Sequence, residues 1–152
     1  MEEEQIRLLV VATRIACAAI TSQQLAALQD SLDHARDIPA RSQWDRKAAA
    51  HAEFFSVLAD SADDPRAAKV LNHGARYACD LMVAVGRQAD WIVINSRKRM
   101  LAHICAGDVN DASAEIEKHI GILQFMRRLS GQVTPLSLPQ ANGTGTARPA
   151  TR

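Results

Sequence analysis

The chain is poor in the residues that punctuate and staple small folds. It holds only 7 Gly, 5 Pro and 3 Cys in 152 residues, and aromatic residues make up 4%. The cysteines (Cys17, Cys79, Cys105) are odd in number, far apart and set among apolar neighbours. That excludes a disulfide framework or a zinc knuckle and reads as buried thiols in a reducing cytoplasm. No apolar run approaches the roughly 18 residues of a membrane-spanning helix. The opening Met1-Glu2-Glu3-Glu4 has the wrong sign for a secretory leader. Charge of either sign is not in excess: 18 basic against 17 acidic side chains leave a formal +1. A basic nucleic-acid-reading surface on the scale of a domain is therefore not expected. An apolar content of 47% excludes a chain that is disordered throughout.

What is present is Ala, Leu, Ile, Arg and Glu at helical spacing, which predicts an all-α domain of six helices. The first runs from Glu2 to about Ala19. Thr21 and Gln24 have the spacing of a capping box for the second, which ends before Pro39. A third begins near Ser42 and runs to about Ser61. Asp64-Pro65 starts a fourth, a carboxylate cap followed by proline in the first turn, and it runs to about Val85, with Gly86 as a stop or a kink. The fifth spans about Asp90 to Ala106. Asp108 caps a sixth, which Gly131 ends near Leu129. The expected architecture is one antiparallel bundle over residues 1–131. From Gln132 to Arg152 the composition turns to Pro, Gly, Thr, Ser and Ala, and this stretch is read as a disordered tail.

Periodicity assigns the inward faces. In the third helix the stripe is Trp44, Ala48, His51, Phe55 and Leu58. In the fifth it is Trp91, Ile94, Arg97, Leu101 and Ile104, with Lys98 and Arg99 pointing elsewhere. In the sixth it is Ala112, Ile116, His119, Leu123 and Met126. Three polar side chains on three helices therefore aim at the interior. One reading is structural: histidines bonded to backbone carbonyls and Arg97 paired with an acid, for which Asp80 is a candidate. The other is a small polar cavity within a bundle. An unpaired buried cation costs several kcal/mol, about the scale of ion burial, so an acid or a bound anion is expected opposite Arg97. The planar guanidinium suits a carboxylate.

These residues resemble the C-terminal effector domain (the FCD domain) of FadR-type regulators in the GntR family, over roughly residues 2 to 130. The similarity rests on Met100-Leu101-Ala102-His103-Ile104-Cys105-Ala106-Gly107-Asp108, followed by Ala112 and His119-Ile120. It rests further on Phe54-Phe55-Ser56-Val57-Leu58 before Asp64-Pro65, and on Leu25-Ala26-Ala27-Leu28 after Thr21. Many members hold a divalent metal with one Asp and three His. Carried onto this chain, the Asp falls on His51, the first His on Phe55, the second on Arg97 and the third on His119. The last interval, 22 residues, fits the family's pattern.

Only His51 and His119 retain donor atoms, and two imidazoles are too few for zinc. The metal site is therefore expected to be lost, with His73 and His103 as alternative recruits and no cofactor required. Arg97 is expected to supply the charge instead, gripping a small organic acid while His51 and His119 add hydrogen bonds. Phe55, Trp44, Trp91 and Tyr77 are expected as apolar walls. The resemblance implies a cytoplasmic homodimer, with Leu8, Val11 and Met82 as interface candidates, and no membrane partner. It implies that DNA is met only through a winged helix-turn-helix, which these residues do not contain. Catalysis is not expected: no nucleophile-base pair, phosphate loop or paired inward carboxylates are legible. The alternatives are a dimerisation scaffold with a degenerate pocket, plugged by Phe55 or Asp80, and a domain keeping a residual histidine metal site.

Overall fold

The computed structural model describes the backbone of residues 3–137 and the side chains of residues 3–131. Among these residues all regular structure is helical. The elements are α1 (Glu3–Ala19), α2 (Ser22–Asp37), α3 (Trp44–Ala59), α4 (Pro65–Val85), a 3-10 turn (Arg87–Ala89), α5 (Asp90–Ala106) and α6 (Val109–Ser137).

Local chemistry accounts for most boundaries. The Gln24 backbone N–H donates to Thr21 Oγ1 at 3.1 Å, and the Thr21 N–H donates to Gln24 Oε1 at 2.9 Å, which completes the expected capping box. The same Gln24 amide donates to the Asp60 carbonyl at 3.3 Å, fixing the start of α2 against the end of α3. Asp64 accepts from the Arg66 N–H at 2.8 Å ahead of Pro65, as its spacing predicts. Gly86 and Gly107 take positive φ, 95° and 79°, where a side chain would be strained, and they end α4 and α5.

Two boundaries differ from expectation. α3 starts at Trp44, with Gln43 rather than Ser42 before it and no side-chain cap. α6 continues past Gly131 to Ser137, because Gly131 does not adopt the left-handed conformation that ends a helix. The tail expected from residue 132 is therefore helical as far as residue 137, and the rest of it lies outside the described residues.

The helices bury one main core, and Ala35, Ile38 and Ala50 form a small separate cluster between α2 and α3. α3 packs against α2 and α4, α1 against α4 and α6, and α5 against α6 and α2. Leu9, Leu28, Phe54, Leu71, Leu81, Met100, Ile116 and Ile120 are enclosed in it. Gly74 on α4 permits the close approach of α1, since a Cβ there would stand 2.7 Å from Leu9 Cδ1. Met82, expected on an interface, is instead 0% exposed in this core. Cys17 is buried, but Cys79 is only half-buried and Cys105 is exposed, so the expectation of three buried thiols fails at Cys105. No helix of the described residues is long and apolar enough to cross a membrane.

Candidate functional site

The polar centre of the bundle is built by α3, α5 and α6. The stripes on α3 and α6 are buried except at Trp44 and Met126, which are only partly covered, and they carry His51 and His119 inward at 1% exposure each. α5 brings Arg97, which is 0% exposed, from a face made by Val93, Ser96, Met100, Leu101 and Ile104. Phe54 and Phe55 close over the guanidinium. Its carbon lies 5.1 Å and 4.7 Å from the two ring centroids, and the rings meet edge to face at 89°. A cation over an aromatic face gains roughly 1–2 kcal/mol once desolvated.

Hydrogen bonding at this centre is incomplete. Arg97 Nη2 donates to the His51 carbonyl at 3.3 Å, while Arg97 Nε and Nη1 have no protein partner. Both ring nitrogens of His119, and Nδ1 of His51, are also without one. Burial pulls the Arg97 guanidinium down to about 9, and the charge of Glu115 opposes that fall. Arg97 is therefore still a cation at neutral pH. His119 is held well below the usual imidazole range by burial first and by the nearby Arg97 charge second. Burial lowers His51 to about 4, against the opposing effect of the hydrogen bond it donates to Asp90. Both rings are thus neutral.

The tautomer of His51 follows from its partner. A carboxylate only accepts, so the 3.0 Å contact between His51 Nε2 and Asp90 Oδ1 places the proton on Nε2. Nδ1 is then a bare acceptor facing the interior.

Neither nearby acid is free to neutralise Arg97. Asp90 serves His51 and also Lys47, whose Nζ stands 3.4 Å from Asp90 Oδ2. Glu115 makes a two-point pair with Arg99, at 3.0 Å and 2.9 Å. Burial tends to raise Glu115, but Arg99, Ser96 and the charge of Lys118 together hold the carboxyl below its ordinary range. Asp80, the expected partner for Arg97, is exposed on the outside of α4 and does not pair with it. Ala78, Leu81 and Met82 occupy the inward positions around it, which turns its carboxylate outward.

Lys47 and Asp90 were not singled out by sequence reasoning. Lys47 is 3% exposed and donates to the carbonyls of Ile38 at 2.7 Å and Arg36 at 3.1 Å, closing the C-terminus of α2. Asp90 opens α5 beside it. Their legible signal was a lysine one residue before the inward Ala48 and an acid at a helix start.

The other expected site residues separate from the cluster or stand at its margin. The Trp44 indole is committed to the Met82 carbonyl at 2.9 Å. Tyr77 accepts from Gln124 at 2.9 Å and lines a surface cleft of about 420 Å³ with Leu81, Arg127 and Arg128. Trp91 is 67% exposed and walls nothing, because α5 begins only one residue earlier and Ala89 and Val93 take the inward positions. Five clefts of about 320–490 Å³ mark the surface, and none of the five is lined by Arg97, His51 or His119. Access to Arg97 therefore requires the Phe54 and Phe55 rings or a neighbouring helix to move.

Among the described residues, three metal-capable side chains converge only at His103, Asp108 and Asp111, at the α5–α6 turn. His51 and His119 belong to no such group, and His73 is exposed on α4. No family model, no curated protein and no solved structure matches the chain.

Proposed function

We propose that the chain is an effector-sensing and dimerisation domain of the GntR/FadR regulator type, holding a small carboxylate in the interior of the bundle. The observation that carries the reading is Arg97: a fully enclosed cation with two nitrogens lacking protein partners and no acid committed to it. Burying such a charge costs several kcal/mol, roughly, unless an anion compensates it. His119 offers one further N–H, and His51 Nδ1 offers an acceptor to a hydroxyl or an amine. Entry past the Phe54 and Phe55 rings couples binding to a rearrangement of α3 against α5. A sensor needs that differential affinity between two arrangements. In a regulator of this type the shift would pass to a winged helix-turn-helix that these residues do not include.

The dimerisation half of the proposal rests on α1. Leu8, Val11 and Ile15 are 52%, 45% and 37% exposed on one face and border two clefts shared with Val70 of α4. A second reading, a scaffold whose pocket is filled, is favoured by the Phe55 ring at 4.7 Å from Arg97.

A thermal-shift panel of organic acids, with and without zinc and chelator, separates them. An acid present at 100 times its dissociation constant adds about 2.7 kcal/mol. Melting that responds to acids and ignores chelator supports the arginine site. Silence throughout supports the scaffold, and a zinc response supports a histidine metal site.

A further inference from the structure

The Arg97 cluster also says what kind of anion fits it when the rings are closed. The guanidinium is sealed by two phenylalanine rings, and none of the five clefts reaches it. An organic acid is several heavy atoms in size and needs a path between the rings, whereas chloride is about as large as one water. A monatomic anion needs neither a planar partner nor an extended channel. The two acids near enough to act on the cluster are already paired, Glu115 with Arg99 at 2.9 Å and Asp90 with Lys47 and His51. The cation thus lacks a counter-charge in contact with it, while Nε and Nη1 retain N–H groups with no protein acceptor. His119, buried beside it, carries one N–H that likewise has no protein acceptor.

We propose that the closed bundle binds a small monovalent inorganic anion, chloride, against Arg97 Nε or Nη1, with the His119 imidazole N–H as its second donor. The proposal rests on reading Arg97 as an anion-binding group, and it adds a regulatory consequence. Chloride stabilises the closed arrangement, so an organic acid must displace it, and chloride weakens the response to the effector.

The test is a melting series of the full 152-residue chain in sodium chloride against sodium methanesulfonate at matched ionic strength. The series is repeated on R97M, and crystals of the wild type are soaked in bromide. The wild type is expected to gain roughly 10 °C at a hundredfold excess of chloride over its dissociation constant, and to go on rising with the logarithm of the chloride concentration. R97M is expected to melt alike in both salts, and bromide is expected within hydrogen-bonding distance of the Arg97 guanidinium. Equal melting of the wild type in both salts, with no bromide at Arg97, overturns the proposal. Should R97M fail to fold, the bromide position decides alone. Stabilisation by organic acids in methanesulfonate without any halide effect overturns this inference and leaves the sensor reading standing. Halide binding that no organic acid displaces supports the chloride site and overturns both its regulatory consequence and the effector reading.

Discussion

The guanidinium carbon of Arg97 stands 4.7 Å from the centre of the Phe55 ring, and both side chains are 0% exposed. A cation and a phenyl group thus meet in the sealed interior of the bundle. The ring stabilises the charge by its quadrupole but accepts no conventional hydrogen bond, so the guanidinium is shielded without being neutralised. The behaviour of the chain should follow from that imbalance.

Replacing Arg97 by Met removes the buried charge while keeping much of the volume. Without ligand, R97M should melt within about 1 kcal/mol of the wild type or above it, since an apolar replacement escapes the desolvation cost. R97A also leaves a cavity beneath the rings and should lose about 2–4 kcal/mol. Urea denaturation of the two variants checks the ordering.

Stability should rise with pH across the acid range. His51 is lowered to about 4 against an ordinary 6.5, and His119 lies well below its ordinary value. Between these limits the unfolded chain binds more protons than the folded one, so acid favours unfolding. The contribution is intact above about pH 6.5 and is lost as pH falls toward 4, with a slope approaching roughly 1.4 kcal/mol per pH unit for each histidine. Denaturation at a series of pH values should show a shallower slope in H119N. An unchanged slope would mean that His119 is not held neutral by burial.

Asp90 joins α5 to α3 through His51 at 3.0 Å and Lys47 at 3.4 Å. Asp90→Asn keeps the shape and removes the charge, leaving Lys47 buried with only its carbonyl partners. Asp90 is 21% exposed, which softens the loss to about 1–3 kcal/mol. Chemical denaturation of D90N beside T21A, which removes the α2 cap at about 1 kcal/mol, places the two on one scale.

Tryptophan emission tests the placement of α5. Trp91 is 67% exposed, whereas the Trp44 indole is tied to the Met82 carbonyl. Acrylamide should quench W44F, which retains Trp91, more readily than W91F. The reverse order would return Trp91 to the interior.

Most of the helical frame was legible because its signals are local. Thr21-Gln24, Asp64-Pro65, Gly86 and Gly107 act within a turn of the residues they cap. The inward positions of His51, Arg97 and His119 were legible because a stripe of four or five residues outvotes one polar member. Trp91 was misplaced because the stripe was extended into the first turn of α5, where the preceding 3-10 turn supplies the inward residue. Lys47 and Asp90 were missed because their burial depends on carbonyls at the end of another helix, which periodicity within α3 or α5 does not encode. Gly131 was misread because glycine permits a left-handed stop without requiring one. Whether Phe55 walls a cavity or seals one was undecidable in sequence, since it depends on ring placement relative to Arg97.

Anion binding at Arg97 carries the proposed function. Its most direct measurement is calorimetric titration, in chloride-free buffer, of the acid that most stabilises the wild type, run in parallel on R97M. The wild type is expected to bind saturably, unchanged by chelator, and R97M to lose at least about a hundredfold in affinity, as befits removal of a buried charged hydrogen-bond donor. Equal affinity in both proteins would contradict anion binding at Arg97.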